Sequence, residues 1–436
     1  MALLTKAPRG TQDLLPSKAH RYQYIEKVVA ETAACFGFYE IRTPVFEHTE
    51  LFNRSVGDTT DVVQKEMYTF EDNGKRSISL RPEGTAGAVR AFLEHGLFNE
   101  PLPQKLWYLT SCYRYEKPQA GRLREFHQFG VEAFGSRSAA QDAEVMAIAR
   151  HVFDRIGVQN ITLEINSIGC PVCRKEYHKA LLCFFNEKKG DLCETCLGRL
   201  ERNPMRILDC KSPVCSAIAA DAPVITDFLC DECTTHFAQV QKYLNAMDID
   251  FIINPHIVRG LDYYTKTVFE FITHDLGAQS AVCAGGRYDG LVEQLGGNPL
   301  PACGFGMGVE RLDLLMQAQN IEVPEPEHCS LYVAPYNEEF SFEAMRLVND
   351  LRAEGVYALT DVTGRSVKAQ MKYADKCKAD YTMILGADDI ANKEVKVKRM
   401  SDGTVTQIGL DDFCDDFIRL TINDALSDFA GEDFAL

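Results

Sequence analysis

The sequence predicts an α+β domain with an antiparallel sheet, interrupted by a cysteine-rich insertion and followed by a separate α/β domain. Three observations carry this. In the first part of the chain, strands come in hairpin-like pairs: 67–70 with 77–80 around the turn Asp72-Asn73-Gly74, and 105–114 with 125–134. Nine of the 16 cysteines then fall within the 64 residues 170–233, where even scatter would place about two. Beyond the Pro- and Glu-rich run 323–328 the elements alternate, with strands at 331–335, 357–359 and 381–385 and helices at 338–353 and 366–377. That is the pattern of a mainly parallel sheet. A length of 436 residues also exceeds one ordinary core.

In chain order, residues 17–36 carry a helical stripe of Tyr22, Ile25, Val28, Val29, Thr32 and Ala33, ended by Gly37. A strand at 38–42, Pro44 and a helix toward Phe52 follow. A helix at 85–95 precedes the second strand pair, whose polar, Gly-containing loop spans 115–124. A helix with Asp142 near its start runs to about Ile156, and a strand at 161–165 leads into the cysteines. Residues 258–273 and 280–284 read as strand-rich, with Gly285-Gly286 breaking the second before a helix from Asp289. A Gly-rich strand at 304–309 feeds a helix at 310–317. The expected domains are a discontinuous core (1–166 and 255–322), an insertion (167–254), a linker (323–329), an α/β domain (330–420) and an acidic tail (421–436).

Composition narrows the class. Apolar residues at 46% and charged residues at 25% exclude disordered and collagen-like chains. No apolar run approaches the roughly 18 residues of a membrane span. The opening MALLTKAPRGTQDLLP lacks the features of a signal peptide. The expectation is therefore a cytoplasmic chain with no membrane partner and no disulfide framework. A net charge of −17 would argue against a nucleic-acid partner. Its distribution does not: residues 364–400 hold nine basic residues against five acids, whereas residues 410–436 hold eight acids and one arginine.

For chemistry, no G-x-x-x-x-G-K-[ST] loop is present. Gly304-x-Gly306-x-Gly308 has the wrong spacing for a dinucleotide fingerprint and reads as a close-packed strand. It leads, however, into Glu310-Arg311 at a strand–helix junction. Arg114 ends a strand, Arg122 and Arg124 lie in the next loop, and Arg259 precedes Gly260-Leu261-Asp262-Tyr263-Tyr264. Separate arginines at strand ends and loops suggest convergence on an anion, because the guanidinium fork matches phosphate and carboxylate.

These residues carry a resemblance. RYEKPQAGRLREFHQFGVEAF (114–134) resembles motif 2 of the class II aminoacyl-tRNA synthetases, GFGMGVERLDLL (304–315) resembles motif 3, and 38–52 with its central Pro44 resembles motif 1. RGLDYY (259–264) and AGGRYDGL (284–291), with LRPEGTA (80–86), are similar to the signatures of the histidyl-tRNA synthetase family. The resemblance covers nearly the whole chain. It implies a class II antiparallel-sheet core and a C-terminal anticodon-binding domain. It also implies ATP-dependent ligation of L-histidine to tRNA(His) through histidyl-adenylate, with Mg²⁺, in a homodimer built on motif 1. Residue by residue, it implies that Glu83, Thr85 and Gln128 hold the α-amino group. Arg114 would bridge the carboxylate and the ATP α-phosphate. Glu132 and Tyr264 would meet the imidazole nitrogens, with Tyr263 beside them. Arg122 and Arg311 would grip the outer phosphates, and Arg259 would stand at the α-phosphate as a catalytic group beside Arg114. Imidazole offers one donor and one acceptor, so a selective pocket needs groups at both nitrogens. His127, beside Gln128, reads as structural packing. Lys117 departs from the arginine that the resemblance would place there, keeping the charge but losing the fork.

The cysteines form four pairs: Cys170 with Cys173, Cys193 with Cys196, Cys210 with Cys215, and Cys230 with Cys233. Tetrahedral zinc takes two such pairs per site. Structural Zn²⁺ is weighed ahead of reduced buried thiols, and spacing leaves open which pairs combine and whether one ion or two bind. The competing class is a non-catalytic, histidine-binding regulatory paralogue of a histidine-biosynthesis enzyme. Such paralogues lose the terminal domain and erode the signatures, and here both remain.

Overall fold

The computed structural model describes residues 4–57, 60, 62–210, 212–277 and 281–431, with side chains through Ser427. Ser280, expected to open a strand, and the end of the acidic tail lie outside the described residues. The chain divides into two compact units, Met1–Pro324 and Glu325–Leu436.

In the first unit, helix Pro16–Cys35 buries Tyr22, Ile25, Val28, Val29, Thr32 and Ala33, the six stripe positions. The strands that follow are β1 (Tyr39–Glu40), β2 (Phe46–His48), β3 (Thr69–Glu71), β4 (Ser77–Leu80), β5 (Gln104–Tyr113), β6 (Glu125–Phe134), β7 (Thr162–Ser167), β8 (Ile252–Ile253), β9 (Thr265–Ile272), β10 (Ala281–Arg287) and β11 (Ala302–Gly308). Eight of them form one sheet in the order β1-β5-β6-β11-β10-β9-β7-β8. It is antiparallel from β5 to β7, as expected. Its two-residue edge strands pair parallel, β1 with β5 and β8 with β7, so the whole sheet is mixed. Helices Pro16–Cys35, Ala139–Ile156 and Val309–Ala318 pack a shared apolar core with residues of the sheet.

The glycines in the sheet clear space for polar side chains. β11 pairs with β6 so that Gly304 faces Glu132 and Gly308 faces Gln128. A Cβ added at Gly304 would overlap the Glu132 carboxylate, and one at Gly306 the Gln128 amide. Gly285 and Gly286 do not break a strand, contrary to the sequence expectation. β10 runs through both, because a Cβ there would overlap the carbonyls of Gly304 and Thr267 on the neighbouring strands. Residues 258–264 differ in the opposite sense, forming a loop rather than strand. Consecutive Tyr263 and Tyr264 are both buried and cluster with Tyr288, at 5.5 and 6.5 Å, where strand alternation would have sent them to opposite faces.

Between β7 and β8 the insertion is helical, with helices Pro171–Glu187, Glu194–Arg202, Pro213–Ala220 and Asp231–Ala246. The last packs on helix Ala139–Ile156, where His236 Nε2 lies 2.6 Å from Asp142.

The second unit holds β12 (Leu331–Pro335), β13 (Ala358–Thr360), β14 (Tyr381–Leu385), β15 (Glu394–Arg399) and β16 (Val405–Gly409), in the order β13-β12-β14-β15-β16. β13, β12 and β14 are parallel, and the β15–β16 hairpin adds antiparallel strands that the alternation did not reveal. Helix Phe413–Gly431 runs straight through Leu420, where the sequence reading placed the start of a tail. Phe413 and Phe417 anchor it on Met383, Val395 and Val397 in the unit's core. No described helix is long and apolar enough to cross a membrane.

Candidate active site

A cavity of about 250 Å³ opens beside β6, β10 and β11. Nine of the ten residues expected around histidine and ATP line it: Glu83, Thr85, Arg114, Arg122, Gln128, Arg259, Tyr263, Tyr264 and Arg311. Glu132 does not; it lies one layer behind. Its carboxylate accepts from the Thr85 hydroxyl at 2.7 Å, the Tyr108 hydroxyl at 3.0 Å and the Tyr288 hydroxyl.

One end of the cavity is acidic. Glu83 caps helix Thr85–Glu94, accepting from the N–H groups of Thr85 at 2.7 Å and Ala86 at 2.9 Å. Even so, burial pushes its carboxyl above the ordinary value. Burial pushes Glu132 up to about 8, opposed by its bond from Tyr288 and reinforced by the charge of Glu83. Two buried carboxyls held this way call for a cation or N–H donor between them. Gln128, four residues before Glu132 on β6 and therefore on the same face, accepts from Gly84 N–H at 3.1 Å.

The other end is basic. Arg114 Nε donates to the Pro82 carbonyl at 2.8 Å, and its guanidinium lies 5.3 Å from the Phe126 ring centroid. Arg122 pairs with Glu116. Arg311 donates to the Gly121 carbonyl at 3.2 Å and to the Ala281 carbonyl. Burial, then the neighbouring charges of Arg122 and Arg114, pull its pKa down. Three guanidinium groups that repel one another inside a cavity are arranged for an anion. Arg259 comes from the loop before β9. It pairs with Glu270, stands 5.7 Å from the Tyr264 ring centroid, and keeps a buried Nε with no hydrogen-bond partner among the described residues.

Sequence reasoning missed Glu116, Glu270, Phe126, Tyr108 and Tyr288. Glu116, Phe126 and Tyr288 lie inside the motif segments 114–134 and 284–291, so their neighbours were the available signal; Tyr108 and Glu270 had none, because only strand pairing brings them in. Arg287, inside AGGRYDGL, is fully buried and holds Asp142 at 3.0 Å and the Ser136 carbonyl at 2.8 Å, away from the cavity. His127 lies outside the cavity lining: its Nδ1 is 2.8 Å from Glu310, and its ring meets Tyr22 edge-on at 6.0 Å.

The eight cysteines collect into two sets, Cys170, Cys173, Cys230 and Cys233, and Cys193, Cys196, Cys210 and Cys215. Within each set the sulfurs lie within 4.8 Å of one another. Sulfur separations of 3.6 Å (Cys170–Cys173), 4.0 Å (Cys170–Cys230) and 3.9 Å (Cys193–Cys210) match the spacing of about 3.8 Å that four thiolates take around tetrahedral zinc at about 2.3 Å. The backbone N–H of Cys196 lowers the Cys193 thiol to about 7. Each set can hold a metal ion.

The antiparallel sheet, the arginines at its strand ends and the glycine-cleared floor define a class II aminoacyl-tRNA synthetase core. Similarity to known proteins agrees. A family profile described as histidyl-tRNA synthetase matches residues 10–312, and one described as anticodon binding domain matches residues 330–420. Histidine--tRNA ligase of Caldanaerobacter subterraneus subsp. tengcongensis is 53% identical over 410 residues, covering 94% of this chain and 98% of its own. That of Clostridioides difficile is 50% identical over 409 residues, covering 94% and 97%. The apo histidyl-tRNA synthetase structure from S. aureus superposes with a TM-score of 0.82 at 38% identity, covering 95% of this chain and 100% of that one. The chain belongs to the histidyl-tRNA synthetase family.

Proposed function

We propose that this chain activates L-histidine with ATP and transfers it to tRNA(His). The single observation that carries this is the polarity of the cavity, acidic at Glu83, with Glu132 one layer behind it, and basic at Arg114, Arg122 and Arg311, with the identity of its relatives behind it. An amino acid placed along that axis puts its ammonium and imidazole N–H toward the acids and its carboxylate toward Arg114. Glu83, Thr85 and Gln128 hold the α-amino group. Tyr264, with Tyr263 beside it, meets one imidazole nitrogen. Glu132 meets the other once the Thr85 hydroxyl turns from it toward the ligand. A site that hydrogen-bonds its substrate rejects amino acids that leave those groups unpaired.

Arg122 and Arg311 take the outer phosphates of ATP, whose Mg²⁺ finds carboxylate oxygens at Glu116 and Glu310 on the same wall. The histidine carboxylate attacks the α-phosphorus and pyrophosphate leaves, so no protein nucleophile is required. The protein aligns the reactants and supplies positive charge where it is needed, from Arg114 and Arg259. The buried Arg259 Nε, which has no hydrogen-bond partner among the described residues, is a donor for a phosphate oxygen.

Zinc in each cysteine set would cross-link the insertion, residues 167–254. The Glu325–Leu436 unit, with its lysine-bearing β15, would receive the anticodon end of tRNA. A homodimer suits the motif 1 region, where Tyr39, Val45 and Phe46 are exposed large apolar side chains. A cytoplasmic location fits a tRNA substrate. Pyrophosphate exchange with each of the twenty amino acids tests the reading. Exchange with histidine alone supports it, and histidine binding without exchange would move the assignment to the regulatory class.

A further inference from the structure

The segment 259–264 brings Arg259, Tyr263 and Tyr264 to the cavity without a strand ladder of its own. From the core, the Asp262 N–H reaches the Val56 carbonyl at 3.3 Å. The core also holds it through the Arg259–Glu270 pair and the packing of Tyr263 and Tyr264 on Tyr288, and the insertion adds a second set of bonds. Arg206 donates to the Gly260 carbonyl at 2.7 Å and to Asp262 Oδ1 at 3.0 Å, with its side chain 13% exposed. Asn203 Nδ2 reaches the same Asp262 oxygen at 3.4 Å. Arg174 donates to the Tyr264 carbonyl at 3.3 Å. Lys266 N–H bonds the Gly169 carbonyl at 3.0 Å.

The positions of these donors matter. Asn203 and Arg206 lie between Cys196 and Cys210, two members of one cysteine set, so an ion there closes the loop that presents them. Arg174 follows Cys173, and Gly169 precedes Cys170, both in the other set. Each set is thus one or a few residues from a direct bond to the segment. Arg114, Arg122 and Gln128 are placed by β5 and β6, which pair over ten residues, and by the loop between them.

We propose that the insertion is a metal-dependent clamp on residues 259–264. Two zinc ions, one per cysteine set, fix Arg206 and Arg174, and these in turn hold Arg259 and Tyr264 in register with the sheet-borne half of the site. Histidine activation then depends on metals that touch neither substrate, whereas ATP binding does not. Arg206 is a positioning residue in this arrangement. The inference rests on the cavity being a histidine-activating site.

The experiment uses the full-length protein. Elemental analysis of protein purified without chelator should find two zinc ions per chain. Arg206→Ala should keep both ions and its melting temperature. It should raise the histidine KM or lower kcat in pyrophosphate exchange by about 10- to 100-fold, the scale of a displaced catalytic group, while ATP affinity changes less than about twofold. Arg206→Lys, which keeps one donor, should recover part of the loss. Hydrogen exchange at 259–264 should quicken in Arg206→Ala and on chelation. Should the parent exchange with no amino acid, the functional reading falls; should it exchange with histidine while carrying no zinc, the metals fall. Should Arg206→Ala leave the histidine parameters unchanged in an active, zinc-loaded parent, the clamp falls. Variants of the cysteines themselves can unfold the insertion, which is why the arginine decides.

Discussion

The catalytic sheet and the insertion hold their reactive side chains by different means. Helix Ala139–Ile156 buries twelve of its eighteen residues between the sheet, helix Pro16–Cys35 and the insertion's last helix Asp231–Ala246, and β5 and β6 pair over ten residues each. Helix Pro171–Glu187 of the insertion, nearly as long at seventeen residues, buries four, one of them Cys173. Glu194–Arg202 buries two of nine, one of them Cys196. These helices bury few residues each and share one apolar cluster with Leu106, Phe134, Tyr263 and Tyr264 of the core, to which a metal ion in each cysteine set would add cross-links. The difference is that long strand pairings place the arginines of β5, β6 and their loop, while the segment with Arg259 also leans on the insertion, whose two cysteine sets could each hold a metal ion. Breaking each kind of support should therefore give different losses.

The largest effect should come from Arg259→Ala. Charge builds on the α-phosphate oxygens as the carboxylate attacks, so a fixed cation there favours the transition state over bound ATP. Pyrophosphate exchange should fall by about 10²–10³. Transfer from preformed histidyl-adenylate should fall much less, since that step makes no new bond at the phosphate. Equal losses in both half-reactions would return Arg259 to a structural partner of Glu270. Glu270→Gln is the companion: it leaves the guanidinium in place and should cost less than Arg259→Ala at every pH.

Removing metal comes next, and it separates the two regions directly. With a strong chelator, amides of Pro171–Glu187 and Glu194–Arg202 should exchange at nearly the rate of unfolded chain, while those of β5 and β6 stay protected. Loss of protection in both regions together would mean that the insertion and the sheet share one cooperative unit. Protection retained in the insertion would mean that its small core suffices.

What the sequence disclosed follows the same division. The stripe of helix Pro16–Cys35, the β5–β6 hairpin and the arginines at strand ends were legible because period, turn residues and side-chain chemistry are local properties. The pairing of the cysteines was not, since C-x-x-C spacing is equally consistent with several partners until helices bring Cys230 beside Cys170. Gly285-Gly286 misled for a related reason: a glycine pair looks like a breaker, but close approach of β9 and β11 made it part of a strand. Glu270 was invisible because it meets Arg259 only in the folded chain, whereas Glu116, in the same loop as Arg122, was near in sequence but gave no sign of which arginine it would pair with. Arg206 was equally hidden, having an unremarkable polar context in the chain and a decisive position in space.

Glu132→Gln should have a moderate effect with a distinctive pH signature. Loss of the charged acceptor should raise the histidine KM and leave the ATP KM little changed. In the ligand-free protein its carboxyl is raised from the ordinary 4.5 to about 8 by burial. Between those values the folded state binds the proton more tightly than the unfolded chain, so this residue makes stability fall as pH rises from about 4.5 to about 8. Glutamine cannot titrate. The variant should therefore gain stability relative to the parent across that window, read as a difference in melting temperature that widens from pH 5 to pH 8. Saturating histidine, which gives the carboxylate a donor, should shrink the difference. A pH-independent gap would show that Glu132 does not titrate in this range.

The smallest effect tests the unit that lies outside this contrast altogether. On β15, Val395 and Val397 are buried while Lys396 and Lys398 are exposed, the alternation of a strand with one face on a core and one in water. The valines pack with Met383 and Phe417, so the lysines cost the fold nothing and are available to phosphates. Such contacts bind by releasing counterions, and each neutralised phosphate contributes about 0.7–0.9 to the slope of log affinity against log salt. Replacing both lysines by alanine should lower that slope for tRNA(His) by about 1.4–1.8, weaken binding at physiological salt, and leave melting and histidine-dependent pyrophosphate exchange unchanged. The exchange assay needs no tRNA, which makes it an internal control: a loss there would mean that the substitutions disturbed the fold. An unchanged salt slope with normal exchange would place the RNA on another face of this unit, and the lysines of helix Val367–Lys376 would then be the ones to replace.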